Sequence, residues 1–467
     1  THLLGRLMDS KENSILEHQI VRLGAGMVGA LAFTYSDSFW FNAVETEVYA
    51  MASLVMAVLL WLGLKWTDDL ERPRTNKWLL LIVFVIGLTF GIQFMGFLTI
   101  PSIVLLFFFE KHKKVTVKNF LVFNVVAVGL LLLVFKLSLT YVLKLFGWGE
   151  VFFVNQMGLP FNSGSLLIGG SLVLIFTILI VYCQKKQLRQ LHLLVLCLLF
   201  LCLGFTSWLM LPIRANVNVG INENNPSDAR LLLAYYNREQ YPSTESPFFG
   251  SYYSSQFAAI EGYKDDNPKY EKNETLEKYT IVNNYKRAIP IPDRKHSGIL
   301  PRMWSDANAE EYMQYFGALD FHVKPEFLSD RELREGLQRI RENYGRGQLD
   351  TSQYIKFLKE FAEYIEVEPP SFWDNMTYLF QYQFNYMYVR YFLWNFVGRS
   401  NDVQGKYDGN GEWLSGIGII DKLRLGNQQG LPSDEKNNKG RNTYFFFPLL
   451  LGIVGIWSQF SRSPKKF

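Results

Sequence analysis

Between two apolar runs, the stretch from Ala32 to Ala50 reads AFTYSDSFWFNAVETEVYA and sets Asp37, Glu45 and Glu47 among Phe39, Trp40, Phe41 and Tyr49. A carboxylate at bilayer depth costs roughly 2.5 kcal/mol or more, so acids kept beside an apolar run are candidates for proton transfer. Loop charges among interfacial aromatics are the plain alternative, and it is strongest for Asp37. Two arginines add the opposite charge. Arg214 leaves an apolar run in LPIRANVNVGINENNPSD, ahead of Asn222 and Glu223, and Arg399 stands before Asp402 in FVGRSNDVQG. A guanidinium fork donates two parallel hydrogen bonds to paired oxygens, which suits a lipid phosphate. An ordinary salt bridge is the alternative for each.

The elements that must position these groups follow from hydropathy. The chain has 467 residues, 49% of them hydrophobic, and they are unevenly spread. Residues 20–211 and 443–460 are mostly Leu, Val, Ile, Phe and Gly, whereas residues 212–442 are polar. The contrast implies a mainly α fold: a multipass transmembrane helical bundle of about eight spans, with a large outer-face soluble domain that is mostly helical with irregular segments. The expected divisions are a bundle over residues 1–211, a soluble domain over 212–442, and a last span with a basic tail over 443–467. The apolar block from Trp78 to Phe109 reads as two short passes, because Gln93, Gly96 and Pro101 interrupt it. Short basic loops, such as Lys111 to Lys118 and Lys185 to Arg189, then fall on one face. By the positive-inside rule both termini are cytosolic, and Asp37, Glu45, Glu47, a 147–164 loop holding Glu150 and Asn155, and the polar domain share the outer face.

Other chemistries are excluded or left bland. With 47 basic and 43 acidic residues the charge is too balanced for a nucleic-acid binder. Cys183, Cys197 and Cys202 lie in apolar runs and imply no disulfide. Gly24, Gly26 and Gly29 match GxGxxG but follow no strand; like Gly87 and Gly91 they read as small residues that let helices approach. The histidines lack zinc spacing, and Asp408, Asn410 and Glu412 lack the remaining ligands of a calcium loop. No metal and no resident cofactor are therefore expected. Asn273-Glu-Thr and Asn375-Met-Thr fit the N-glycosylation pattern. Residues 330–366 and 372–397 have helical spacing. The aromatic run Phe380 to Trp394 reads first as packing, with a membrane surface or a substrate groove as other readings.

SDSFWFNAVETEVYAM, PIRANVNVGINENNPSD with NREQY, LPRMWS, and NFVGRSNDVQG followed by EWLSGI together resemble a family of bacterial multipass proteins long filed as a domain of unknown function. That family is similar to the eukaryotic membrane O-mannosyltransferase of plexin-type domains, and both are of the GT-C class. The resemblance implies a polyprenyl-phosphate sugar as donor, membrane lipids and an exported acceptor protein as partners, and a bacterial inner-membrane location with the soluble domain in the periplasm. It also implies catalytic acids in a first outer loop that would precede Thr1, and further spans after the last one here. Within this sequence it points to Glu47 and Glu45, with Asp37, for acid/base work, to Arg214 and Arg399 for the donor phosphate, and to Asn222, Glu223 and Asp402 on the acceptor side. Two other classes stand beside it. Outer acids also suit a transporter or lipid flippase, although no inverted repeat is visible. A noncatalytic scaffold of an envelope export complex is the third.

Overall fold

A computed structural model of the chain describes residues 1–7, 15–112, 114–217, 219–241, 246–258, 260–403, 405 and 409–462. It divides into two compact units: Thr1–Pro242 with Tyr270–Ile281 and Ile456–Phe467, and Ser243–Lys269 with Val282–Gly455. The first unit thus runs past the boundary that hydropathy sets at residue 211.

Among the described residues the first unit holds, in chain order, α1 (His2–Leu7), α2 (Ile15–Thr34), α3 (Asp37–Val44), α4 (Tyr49–Asp68), α5 (Asn76–Thr89), α6 (Thr99–Lys111), α7 (Val117–Leu132), α8 (Leu139–Asn155), α9 (Ser163–Lys185), α10 (Arg189–Phe205), α11 (Met210–Asn216) and α12 (Ala229–Tyr236), together with the end of the last helix from Ile456. Among the described residues, five helical stretches are long and apolar enough to cross a membrane: Tyr49–Asp68, Phe94–Lys111, Val117–Asn155, Ser163–Lys185 and Arg189–Asn216. Three further apolar helices among the described residues are shorter, Gln19–Thr34, Asn76–Thr89 and Phe447–Ser461, so helices of spanning length fall short of the expected count of about eight. The 14 residues of α5 reach only ~21 Å at about 1.5 Å per residue.

The Trp78–Phe109 block is indeed broken. Gln93 takes an extended backbone ahead of the 3-10 turn Phe94–Leu98, and the carbonyl of Phe90 accepts a hydrogen bond from the Trp208 indole at 2.6 Å. Glycine sets the closest crossing. A Cβ on Gly87 would stand 2.4 Å from the Leu201 carbonyl, and one on Gly204 would stand 2.2 Å from that of Phe84, so α5 and α10 meet backbone to backbone. Gly91 is likewise filled against Ser207, whereas Gly24 and Gly29 face open space and Gly26 meets only Thr1. The packing expected of Gly87 and Gly91 is present, and that expected of Gly24 and Gly29 is not.

Residues 147–155 are helical rather than a loop, and α8 continues through them. Its end carries α12, whose buried Leu232 and Leu233 join the core formed by Val55, Leu59, Phe90, Phe97, Phe205 and Trp208. That burial is the reason residues 212–242 pack with the bundle despite their polar composition.

The second unit holds α13 (Ala309–Phe316), α14 (Arg331–Gly345), α15 (Thr351–Glu360), α16 (Phe372–Thr377), α17 (Arg390–Phe396), α18 (Gly418–Leu425), α19 (Ser433–Lys436) and most of α20 (Phe447–Arg462). The expected 330–366 helix is two helices and a strand. Asp330 caps α14 through the Leu333 N–H, and a capping box of Asp350 and Gln353 starts α15. The chain then leaves as Ile365–Val367, antiparallel to Phe321–Val323. Leu337, Tyr354, Phe357, Leu358 and Tyr378 centre its core. Arg331 with Glu335, and Arg346 with Glu342, form the solvated face that alternating signs imply.

Candidate functional site

Consecutive helices of the first unit run back and forth, and their contacts fix which ends coincide. Trp66 of α4 stacks on Phe107 of α6 at 5.0 Å, Gly87 of α5 meets Gly204 of α10, and Gly149 of α8 meets Ile168 of α9. One end therefore collects the turn from Glu45 to Val48, the break at residues 90–93, the α8–α9 turn and Arg214. The opposite end holds Asp68 and Glu110. There α1 is tied down by Arg6, which reaches Asp68 at 3.2 Å and Glu110 at 2.7 Å.

Asp37 opens α3, where the positive end of the helix dipole stabilises a carboxylate. Glu45 is the C-cap of the same short helix, with its N–H on the Phe41 carbonyl, and there the dipole opposes its charge. Glu47 stands just before α4, on the favourable side of a new helix. Both Glu45 and Glu47 are exposed, and among the described residues neither has an ion-pair partner. Arg214, in the last turn of α11, is exposed as well. The structure brings the two glutamates and this arginine to one end of one unit; no hydrogen bond or salt bridge joins them among the described residues. Asn222 is half-buried and folds inward, its amide donating to the Ala215 carbonyl at 3.2 Å and to Asn225 at 2.8 Å, and Glu223 beside it is exposed.

Arg399, the other candidate for a donor phosphate, is enclosed. It belongs to the second unit, is 2% exposed, and lies over the Trp394 ring at 3.9 Å. Such stacking uses the guanidinium face, so Arg399 serves packing as it stands. Asp402 is exposed in the same loop and accepts from the Asn438 amide at 3.4 Å. The rest of this motif is tied up too. Asn401 accepts from the Gly411 N–H at 2.9 Å, and Glu412 takes the guanidinium of Arg424 at 2.5 Å. Asp408 lies outside the described residues, and no cluster able to hold a metal occurs among the described ones. Arg302 of LPRMWS is buried, donating to the carbonyls of Ser246, Pro247, Gly298 and Ser251. Asn375 of the glycosylation pattern is 3% exposed and its side-chain oxygen accepts from the Met303 N–H at 2.9 Å, so in this fold it is closed to a glycan. Asn273 instead ends the first strand of an exposed hairpin.

Sequence reading missed the most enclosed acid. Glu150, fully buried, accepts from the Asn162 N–H, from the Ser165 N–H at 2.8 Å and hydroxyl at 3.0 Å, and from the Tyr279 phenol at 3.4 Å. It caps the start of α9 from the neighbouring helix, and Gly164 lets the two backbones close. Burial and the nearby acids Asp228 and Glu150 push the Tyr279 phenol far above its usual range, which keeps it a donor. Asn155 clamps the same tyrosine through its backbone N–H and carbonyl, each at 2.9 Å. No spacing in the sequence links residue 150 to residue 279. A largely apolar groove of about 540 Å³ between α5 and α10 is lined by Trp78, Leu81, Phe84, Phe200 and Leu203, with Lys77 as its one ionisable side chain.

Residues 243–380 match a family of unknown function, DUF8416, beginning at the first residue of the second unit. No curated protein and no solved structure matches the chain. Residues 1–116 match the family described as the Protein O-mannosyl-transferase TMEM260 N-terminal domain. That segment contains Asp37, Glu45 and Glu47 and ties the chain to the eukaryotic O-mannosyltransferase, a likeness that suggests a membrane glycosyltransferase of O-mannosyltransferase type.

Proposed function

We propose that the chain is a GT-C-type glycosyltransferase that moves a hexose, mannose by its likeness, from a polyprenyl phosphate to a Ser or Thr hydroxyl of an exported protein. Its membrane is the bacterial inner membrane, crossed about eight times with the shorter apolar helices counted, and its polar unit faces the periplasm. The single observation that carries this reading is the match over residues 1–116, which encloses the acidic turn. In the reaction the acceptor hydroxyl attacks C1 of the sugar while a carboxylate takes its proton. The bond from C1 to the phosphate oxygen breaks with inversion, and the polyprenyl phosphate leaves with a growing charge that a cation must meet. Glu47 suits the proton acceptor, being exposed and beside a helix N-terminus; Glu45 orients the hydroxyl and Arg214 receives the phosphate. For Arg399 of the second unit to receive a phosphate, its stack on Trp394 must open.

The test is transfer from polyprenyl-phosphate-mannose to a peptide from an exported protein by the full chain in nanodiscs. The wild type glycosylates the peptide, Glu47→Gln loses transfer by roughly a hundredfold or more, and Arg214→Gln loses donor affinity first. Full transfer by Glu47→Gln removes that residue from the chemistry. No transfer by the wild type with any lipid-linked hexose overturns the proposal.

A further inference from the structure

In the second unit, α16, the π-helical stretch Tyr378–Val389 and α17 form one helix from Phe372 to Phe396. Its rings divide into two rows. Tyr378, Tyr382 and Tyr386 stack at 5.2 and 6.0 Å, and Tyr378 and Tyr382 join the core. The other row, Phe380, Phe384 and Tyr388, is turned outward and exposed. The helix carries only two charged side chains, Asp374 and Arg390. Asp374 closes the α16 capping box, and Arg390 donates to the carbonyls of Tyr386 and Gly411. The outward row is therefore free of charge over its whole length.

Where the helix ends, the chain is stitched to the start of an apolar helix. The Tyr444 N–H donates to the Val397 carbonyl at 2.9 Å, and Gly398–Arg399 pairs antiparallel with Asn442–Thr443. The Phe445 N–H bonds the Ser415 carbonyl, and α20 begins two residues later. Around this point α18 buries Asp421 but leaves Ile419 75% and Leu423 85% exposed. Apolar residues so exposed beside an apolar helix mark an interaction surface. Rings with a charge-free face, together with Trp and Tyr, are what the zone between headgroups and acyl chains selects.

We propose that the row Phe380, Phe384 and Tyr388, with Ile419, Leu423 and Phe445, lies in the interfacial zone of the bilayer that α20 enters. The helix Phe372–Phe396 then floats along the membrane surface and holds the second unit at a set height. The proposal goes beyond the transferase reading and rests on α20 entering lipid.

The test uses the full chain in nanodiscs, with bimane on a cysteine placed by Phe384→Cys, Leu423→Cys, Val454→Cys in α20, or Arg339→Cys on the solvated α14. The unsubstituted chain supplies the background of its three cysteines. Labels at 384 and 423 are expected to lose emission with acyl-brominated lipid, as 454 does, and to resist iodide, while 339 does the reverse. Labels at 384 and 423 that behave like 339 overturn the proposal. So does a label shielded from both quenchers, which would mean that polypeptide or sugar covers the row. A label at 454 that ignores brominated lipid removes α20 from the membrane and the proposal with it; transfer activity, measured separately, is untouched by that result.

Discussion

The two units are held together in different ways. In the first, α5 and α10 meet where Gly87 and Gly204 let carbonyls approach a neighbouring helix, and much of the remaining leucine and valine surface points outward. In the second, buried polar side chains do the tying: Arg302 on four carbonyls, Asn375 on Met303, and Asp421 on the Ser415 and Gly416 N–H groups. The difference reflects solvent. Lipid offers apolar helices no hydrophobic reward for meeting, so close backbone contact must hold them. Water rewards burial, and irregular backbone must then satisfy its own polar groups.

This contrast can be broken at graded cost. Gly204→Leu, which drives a side chain into the Phe84 carbonyl, is expected to abolish a monodisperse detergent-extracted protein, whereas Gly24→Leu leaves the elution profile unchanged. Leu358→Ala in the second core is expected to cost about 2–5 kcal/mol by denaturant unfolding. Asp421→Ala orphans buried donors and should cost about 1–3 kcal/mol. Glu150→Ala tests the exception, since it removes an equally buried polar anchor from the first unit; a loss like that of Asp421→Ala would show that the contrast holds for the helix crossings and not for their ends.

A pH effect comes next. Burial holds the His296 imidazole below its usual value, while Asp293 and Glu366 act upward and Lys295 downward; its Nδ1 shares a hydrogen bond with the buried Ser254 hydroxyl at 2.9 Å. The folded unit thus takes up that proton at lower pH than the unfolded chain. Stability from this group is full above the unfolded value of about 6.5 and is lost as pH falls through the folded value. Thermal unfolding of wild type and His296→Gln between neutral and acid pH should converge if this is right. Smallest of all, Glu335→Ala deletes an exposed pair with Arg331 and should cost only about 0.2–0.5 kcal/mol.

Much of the first unit was legible because long apolar runs can only be buried helices or spans. The break near Gln93 showed as polar and glycine residues inside such a run, and the tight packing of Gly87 and Gly91 followed from their setting. Gly24 and Gly29 carried the same signal without the neighbour that would give it meaning. The membership of α12 was hidden because a helix of only eight residues, set in a polar stretch, gives no sign of which core its Leu232 and Leu233 will join. The acidic turn, picked out by its charge beside apolar runs, lies within the matched residues 1–116. The burial of Arg399 was not legible because sequence shows a guanidinium and not the ring beneath it, nor was that of Glu150, because its donors come from residues 162, 165 and 279.

The hairpin Tyr270–Ile281 belongs to the first unit although the residues on both sides of it belong to the second. The polypeptide consequently threads from one unit to the other and back before either is complete, and no single scission can free a whole water-facing piece. A secreted fragment starting at Ser243 would carry a β-ribbon whose receptor, the Asn155 amide, had been left behind. Shortening that ribbon would in turn strip the lid from an acid placed far upstream.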